Sequence, residues 1–344
     1  MHNILNTIYV MTPHAYAHLE NSTVRIDVER EKRLQVPLHH LASLVTFGNV
    51  MVSPALMHRL ADEGKSLVLL DEHGRFKARL EGPVSGNILL RQAQHKAAND
   101  PAATLEHARA CVAGKLRNSR VTLQRGAREA ADAGEAAQLT RSADNLAASL
   151  RAAAEATALD ELRGVEGEAA RGYFAALNLI VKPQMRASFA LDGRTRRPPL
   201  DRFNALISFL YAMLMNDCRS ALETVGLDPQ LGYLHAVRPG RAALALDLQE
   251  EFRSILADRL ALTLINRGQL SSGDFEIREG GAVSLGEKGR RAVVTAWQER
   301  KQEEITHPLL ESKLPIGLLP LIQARFMARA VRGEMEGYLP YLAK

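Results

Sequence analysis

Cysteine is nearly absent: Cys111 and Cys218 are the only two in 344 residues, far apart and in no CxxC pair. That rules against a disulfide framework or a thiolate zinc cluster, and both side chains are expected as buried thiols. Long apolar runs are missing as well. No stretch reaches the roughly 18 uncharged apolar residues of a membrane span. The opening MHNILNTIYVMTPHAYAH has neither a basic region leading into an apolar run nor a small-residue cleavage site. A cytoplasmic protein without membrane attachment is the expectation. No repeat recurs at spacings of about 20 to 50 residues, and there is no long disordered tract.

What the chain does have is enough apolar content for a real core, 46% hydrophobic residues, and enough length for two domains. The pattern changes along it. Up to residue 83, short β-rich runs at 4–10, 22–28, 65–71 and 75–81 are separated by polar or glycine turns such as Glu72-His73-Gly74. One helix interrupts them, with Ser53 as N-cap, Pro54 at its first position, an apolar stripe of Leu56, Met57, Leu60 and Ala61, and Gly64 as its stop. After Gly82-Pro83 the spacing becomes helical: an alanine-rich, proline-free stretch over 102–160, then helices at 161–181, 201–225, 247–266, 290–305 and 315–335, with a small hairpin in 268–289. The expected fold class is therefore α+β, a mainly β domain over 1–83 followed by a mainly α-helical domain over 84–344.

The net charge of +5 is modest, and its distribution says more. Residues 115–128 carry Lys115, Arg117, Arg120, Arg125 and Arg128 with no acid, and 194–202 carry four arginines against Asp201. Phosphate contact is a natural use for such tracts, and a solvated helix face with a basic loop is the plain alternative.

Several motifs fail on inspection. Gly64-Lys65-Ser66 resembles the end of a phosphate-binding loop, but Arg59 stands where its first glycine belongs and a strand follows where a helix is required. His14 and His18 lack the intervening glutamate of a zinc protease, and the adjacent His39 and His40 point apart. Three segments survive better: Gly164-Val165-Glu166-Gly167-Glu168, Gly232-Tyr233-Leu234-His235, and Asp247-Leu248-Gln249-Glu250. If they converge, they form an oxygen-rich divalent-metal site in a basic protein, which suits phosphodiester chemistry. Each also has an ordinary reading: Asp247-x-x-Glu250 as a capping box, His235 as a satisfied histidine, and Glu166 as a solvated residue near Arg163 and Arg171.

Taken together, the segments resemble one family, the CRISPR-associated spacer-acquisition integrases that form the catalytic subunit of the Cas adaptation complex. Glu161-Leu162-Arg163-Gly164-Val165-Glu166-Gly167 with Ala169-Ala170-Arg171 is similar to the family's glutamate motif, and Gly232–His235 leading to Leu246–Arg253 to its histidine and acidic motifs. Gly114–Asn118 with Arg120, Arg194–Pro199 with Asp201 and Asn204, Ser208–Tyr211, Gln323–Arg325 and Tyr338–Pro340 match as well. Leu5–Val10 hints at subtype I-C, and position 251 is Glu where many relatives carry proline.

The resemblance implies a β-rich N-terminal domain that mediates homodimerisation and a helical catalytic domain. It implies that Glu166, His235 and Glu250 bind the divalent metal, with Asp247 a second acid supporting the catalytic site. One imidazole with two carboxylates suits Mg2+ or Mn2+ and leaves positions for water and phosphate oxygens; no nucleotide cofactor is needed. The reaction implied is insertion of a captured DNA fragment into a CRISPR repeat by 3′-hydroxyl attack on a phosphodiester. Hydrolysis is its variant with water, and a branched intermediate can be reversed. Lys115, Arg117, Arg120, Arg194, Arg196 and Arg197 are the candidates for DNA backbone contact. Implied partners are a small ferredoxin-like Cas adaptation subunit and an iron-sulfur Cas nuclease. Two alternatives stay open: a non-catalytic DNA-binding scaffold, and a metal-dependent phosphoesterase acting on small substrates.

Overall fold

The structure, a computed structural model, describes residues 7–343 apart from 73, 75, 81, 83–87 and 192. The chain divides into two compact units, residues 1–85 and 86–344. Of the segments singled out above, residues 1–6, His73, Arg75, Glu81 and Pro83 lie outside the described residues.

The first unit is built from strands β1 (Thr7–Val10), β2 (Tyr16–Glu20), β3 (Thr23–Val28), β4 (Glu31–Pro37), β5 (Ser43–Phe47), β6 (Met51–Val52), β7 (Ser66–Leu70) and β8 (Phe76–Leu80). They form two four-stranded sheets, ordered β1-β5-β7-β8 and β4-β3-β2-β6. In the first, β1, β5 and β7 run parallel and β8 returns antiparallel. The second is an antiparallel meander with β6 added parallel to β2. Helix α1 (Pro54–Asp62) starts as expected, Ser53 Oγ accepting the Leu56 amide at 3.2 Å, and buries Leu56 and Leu60 against Val10, Ala17, Val24, Leu44 and Leu67. Gly64, at φ +63°, carries the chain from the helix into β7.

The second unit is helical: α2 (Ile88–Ala98), α3 (Pro101–Glu129), α4 (Ala133–Glu155), α5 (Leu159–Leu177), α6 (Pro183–Phe189), α7 (Arg202–Val225), α8 (Ala243–Glu250), α9 (Arg259–Asn266), α10 (Glu287–Gln302) and α11 (Leu319–Val331). The expected hairpin is present as β9 (Phe275–Ile277) and β10 (Val283–Leu285), and a second small ribbon pairs β11 (Glu304–Thr306) with β12 (Lys313–Pro315). The helical stretch 102–160 holds α3, α4 and the start of α5, with Asp132 accepting the Glu135 amide at 2.8 Å to begin α4. One expectation needs correction. The helix expected from Asp247 starts at Ala243, and its course from Arg253 to Asp258 is a π-helix that hands over to α9.

Helix α3 is the spine of this unit. It is 29 residues long and buries His107, Cys111, Leu116, Asn118, Thr122 and Leu123 along one side. Cys111 and Cys218 are both buried free thiols, as expected. Among the described residues no helix is long and apolar enough to cross a membrane.

Candidate active site

The site is organised around Asp247, an interior residue of α8 with no exposed surface. Its Oδ2 accepts the amides of Tyr233 (2.6 Å) and Leu234 (3.0 Å), and its Oδ1 accepts the amide of His235 at 2.9 Å. The same Oδ1 lies 2.7 Å from His235 Nδ1. The capping-box reading of Asp247-x-x-Glu250 therefore fails: the carboxylate ties down the Tyr233–His235 loop instead of the start of its own helix. Gly232 makes this close approach possible, since a Cβ there would stand 2.6 Å from the Ala243 carbonyl carbon and 2.8 Å from Asp247 Oδ2.

The contact from Nδ1 to Asp247 fixes the imidazole ring and leaves Nε2 on its far side. Nε2 lies 3.6 Å from Glu250 Oε1, one turn further along α8. Glu250 is only 2% exposed. Burial alone would raise its carboxyl, but Arg253, Lys115 and His235 outweigh burial and hold it at about 2. Arg253 pairs with Glu250 Oε1 and donates to Gln249 Oε1 at 3.0 Å, while its guanidinium lies 5.1 Å from the Tyr211 ring centroid.

Glu166 arrives from α5 and meets the others through Lys115. The lysine ammonium pairs with Glu166 Oε1 and stands 2.8 Å from Glu250 Oε2. That distance makes an ion pair, although Glu250 Oε2 is buried and receives no well-directed hydrogen bond. So the structure links Glu166 to Glu250 through Lys115 and brings Glu250 to His235, with Asp247 behind the histidine. Among the described residues no group of three or more His, Cys, Asp or Glu side chains is arranged to hold a metal ion. The donor set nevertheless fits Mg2+ or Mn2+: two carboxylates, one of them with a buried oxygen lacking a directed donor, and the Nε2 of a half-buried imidazole.

The basic residues divide. Lys115 lies within the site instead of on the surface. Arg194 is enclosed: it donates to Asn204 Oδ1 (2.8 Å) and Ser208 Oγ (3.0 Å), lies 5.4 Å from the Tyr211 ring centroid, and its pKa is lowered by burial. Arg117 and Arg120 are half-buried on α3, whereas Arg196 and Arg197 are exposed. Three arginines not chosen from sequence join them. Arg163 donates to the Leu234 carbonyl at 2.8 Å, Arg238 sits on the exposed loop after His235, and Arg241 is half-buried beyond it. Burial lowers the Arg241 pKa, and Arg238, Arg197 and Arg163 lower it further while Asp247 opposes them. These four cations thus share a positive rim beside His235. Only their convergence reveals it, because no single tract contains them.

Glu251, next to Glu250, is bound to the C-terminal segment and not to Lys115 or His235. It accepts hydrogen bonds from Tyr338, from the Tyr341 amide (2.7 Å) and from Gln323 (3.2 Å), so it anchors the C-terminal segment. Burial pushes its carboxyl up to about 8 against those donors. Asn118 completes the junction by donating to the carbonyls of Glu251 (2.7 Å) and Tyr341 (2.8 Å).

A family model described as CRISPR associated protein Cas1 matches residues 8–299. The chain is 53% identical over 342 residues to the CRISPR-associated endonuclease Cas1 1 of Moorella thermoacetica, spanning 99% of each. Its fold matches that of a Cas1 protein from Thermotoga maritima with a TM-score of 0.82, at 21% identity over 98% of this chain and 100% of that one. It also matches a casposase bound to integration product with a TM-score of 0.83, at 20% identity over 98% and 94% of the two chains. The matched segment takes in Glu166, His235, Asp247 and Glu250 together, and on that match the chain belongs to the CRISPR associated protein Cas1 family.

Proposed function

We propose that this Cas1-family endonuclease inserts captured DNA fragments as spacers into a CRISPR array, with Glu166, His235 and Glu250 holding a divalent metal. The observation that carries the reading is the convergence of these three side chains, with Asp247 orienting the imidazole, beside a rim of arginines. When bound, Mg2+ or Mn2+ supplies Lewis acidity that polarises a phosphodiester and eases ionisation of an attacking hydroxyl.

The chain's own residues do the rest. Asp247 holds His235 by Nδ1 and leaves Nε2 on the far side of the ring. Arg253 steadies Glu250 from within the helix. Arg196, Arg197 and Arg238, all exposed, hold phosphates and set the path of the strand without reading its bases. Gly164 and Gly167 leave open space on α5 beside Glu166, which admits a DNA backbone close to the carboxylate. In the transfer, the 3′ oxygen of the fragment bonds to phosphorus as the repeat's own P–O bond breaks and its oxygen departs as a hydroxyl. The number of phosphodiesters is conserved, so the step runs in both directions. The Moorella relative bears the name endonuclease, and the casposase of like fold is bound to integration product; both support this assignment.

The first unit is assigned to pairing with a second copy. Tyr16 and Met51, neighbours across β2 and β6, are exposed, as is Leu34 on the edge strand β4. Docking on a small ferredoxin-like Cas subunit and cooperation with a Cas nuclease rest on the family resemblance.

The test is strand transfer on a labelled branched DNA that mimics half-integrated product, with Mn2+ or chelator, for the parent protein, Glu166→Ala and His235→Ala. Metal-dependent transfer lost in both variants, with folding and DNA binding retained, is the expected result. If both variants match the parent, the site assignment is wrong and a DNA-binding scaffold is the better account.

A further inference from the structure

We propose that Lys115 is an internal counter-cation, which holds Glu166 and Glu250 together in the metal-free protein and gives up its place when Mg2+ or Mn2+ binds. The inference rests on the metal-site reading above and goes beyond it.

The lysine stem is only 12% exposed, and its ammonium contacts one oxygen of each carboxylate. Glu250 is 2% exposed, so without a cation its buried carboxylate oxygen would face the second negative group of Glu166 uncompensated. Arg253 covers Glu250 Oε1 and does not remove the need for a charge at Oε2. The position of Lys115 is fixed by the fold. One turn along α3, Asn118 is bound to the Glu251 and Tyr341 carbonyls, so the helix cannot shift without breaking the junction beside α8. Gly114, the neighbour of Lys115, is packed so closely that a Cβ would stand 2.9 Å from both Glu251 Cγ and Pro340 Cβ.

An ammonium and a divalent ion cannot both occupy the space between the same two oxygens. Metal entry therefore requires the lysine to leave, and the lysine lowers the apparent metal affinity by competition. Its flexible stem allows that movement where a fixed guanidinium fork would resist. The displaced ammonium is then free to meet a DNA phosphate.

The experiment compares Mn2+ binding by calorimetry, and thermal melting in chelator and in saturating Mn2+, for the parent, Lys115→Gln and Lys115→Arg, without DNA. Lys115→Gln should bind Mn2+ roughly tenfold tighter, the scale on which groups around metal ligands act. It should melt lower than the parent in chelator, and Mn2+ should close that gap. Lys115→Arg keeps the charge, so it should melt near the parent in chelator, while its fork resists displacement and should bind Mn2+ no more tightly than the parent. Equal or weaker Mn2+ binding by Lys115→Gln overturns the proposal, as does a melting deficit that Mn2+ leaves in place. If Lys115→Gln is unfolded in chelator, recovery of its helical circular dichroism in Mn2+ supports the idea and failure to recover overturns it. A parent that binds no Mn2+ overturns the metal site itself, whereas a parent that binds and a variant that binds equally removes only the lysine's role.

Discussion

Asp258 sets a problem of charge that local sequence does not show. It closes the π-helix after α8, has no exposed surface, and accepts hydrogen bonds from Tyr211 (2.7 Å) and Tyr173 (2.9 Å). Burial raises its carboxyl to about 6, against the two phenols and the charges of Arg194 and Arg253. The folded pKa lies above the ordinary 3.8, so the native state keeps a proton that the unfolded chain releases. This contribution is complete below 3.8 and is lost as pH rises to about 6. Asp258→Asn should therefore gain stability relative to the parent across that window, by up to about 3 kcal/mol. Denaturant unfolding at several pH values checks this, and parallel profiles for the two proteins would count against it. Lys115 shows the same gap in what sequence discloses. Within a basic tract it reads as a phosphate contact, yet Glu166 lies 51 residues away and Glu250 on a more distant helix.

Turns and helix starts were legible where chemistry marked them and hidden where it did not. Ser53-Pro54 announced α1 correctly. Asn21-Ser22 and Glu29-Arg30 are two-residue hairpin connections with positive φ at all four positions, but without glycine, so β2 and β4 escaped notice. Helix α8 begins at Ala243 with no side-chain cap, and the acids that suggested its start lie in its interior. What fixes α8 is the loop before it: the Leu244 amide bonds to the Pro229 carbonyl at 2.9 Å, and Asp247 gathers the amides of Tyr233, Leu234 and His235. Gly232→Ala would push a methyl group into the α8 backbone. We expect a loss of about 1–3 kcal/mol of stability and a fall in strand transfer with DNA binding retained. Unchanged transfer would show that the loop tolerates the shift.

The division into a strand-rich and a helical unit followed from the change in hydrophobic period, because period 2 and period 3.6 are local properties. The site did not follow in the same way. Its acids were visible as residues, but the Asp247 brace, the lysine bridge and the rim of Arg163, Arg197, Arg238 and Arg241 exist only after distant segments meet. The rim predicts a collective property. Replacing Arg197 and Arg238 together with alanine should weaken binding to unrelated DNA sequences alike and flatten the dependence of log affinity on log salt by about 2. A sequence-selective loss, or an unchanged slope, would assign those arginines elsewhere. The long reach of α3 has a consequence for the life of the chain. Asn118 bonds to residues 133 and 223 positions later, and Lys115 needs α5 and α8 before it has partners. Local helices form quickly, but contacts of such separation close last. The candidate site thus comes into being only with the finished fold, so a half-made or misfolded copy carries its acids, histidine and lysine as separate, unassembled residues.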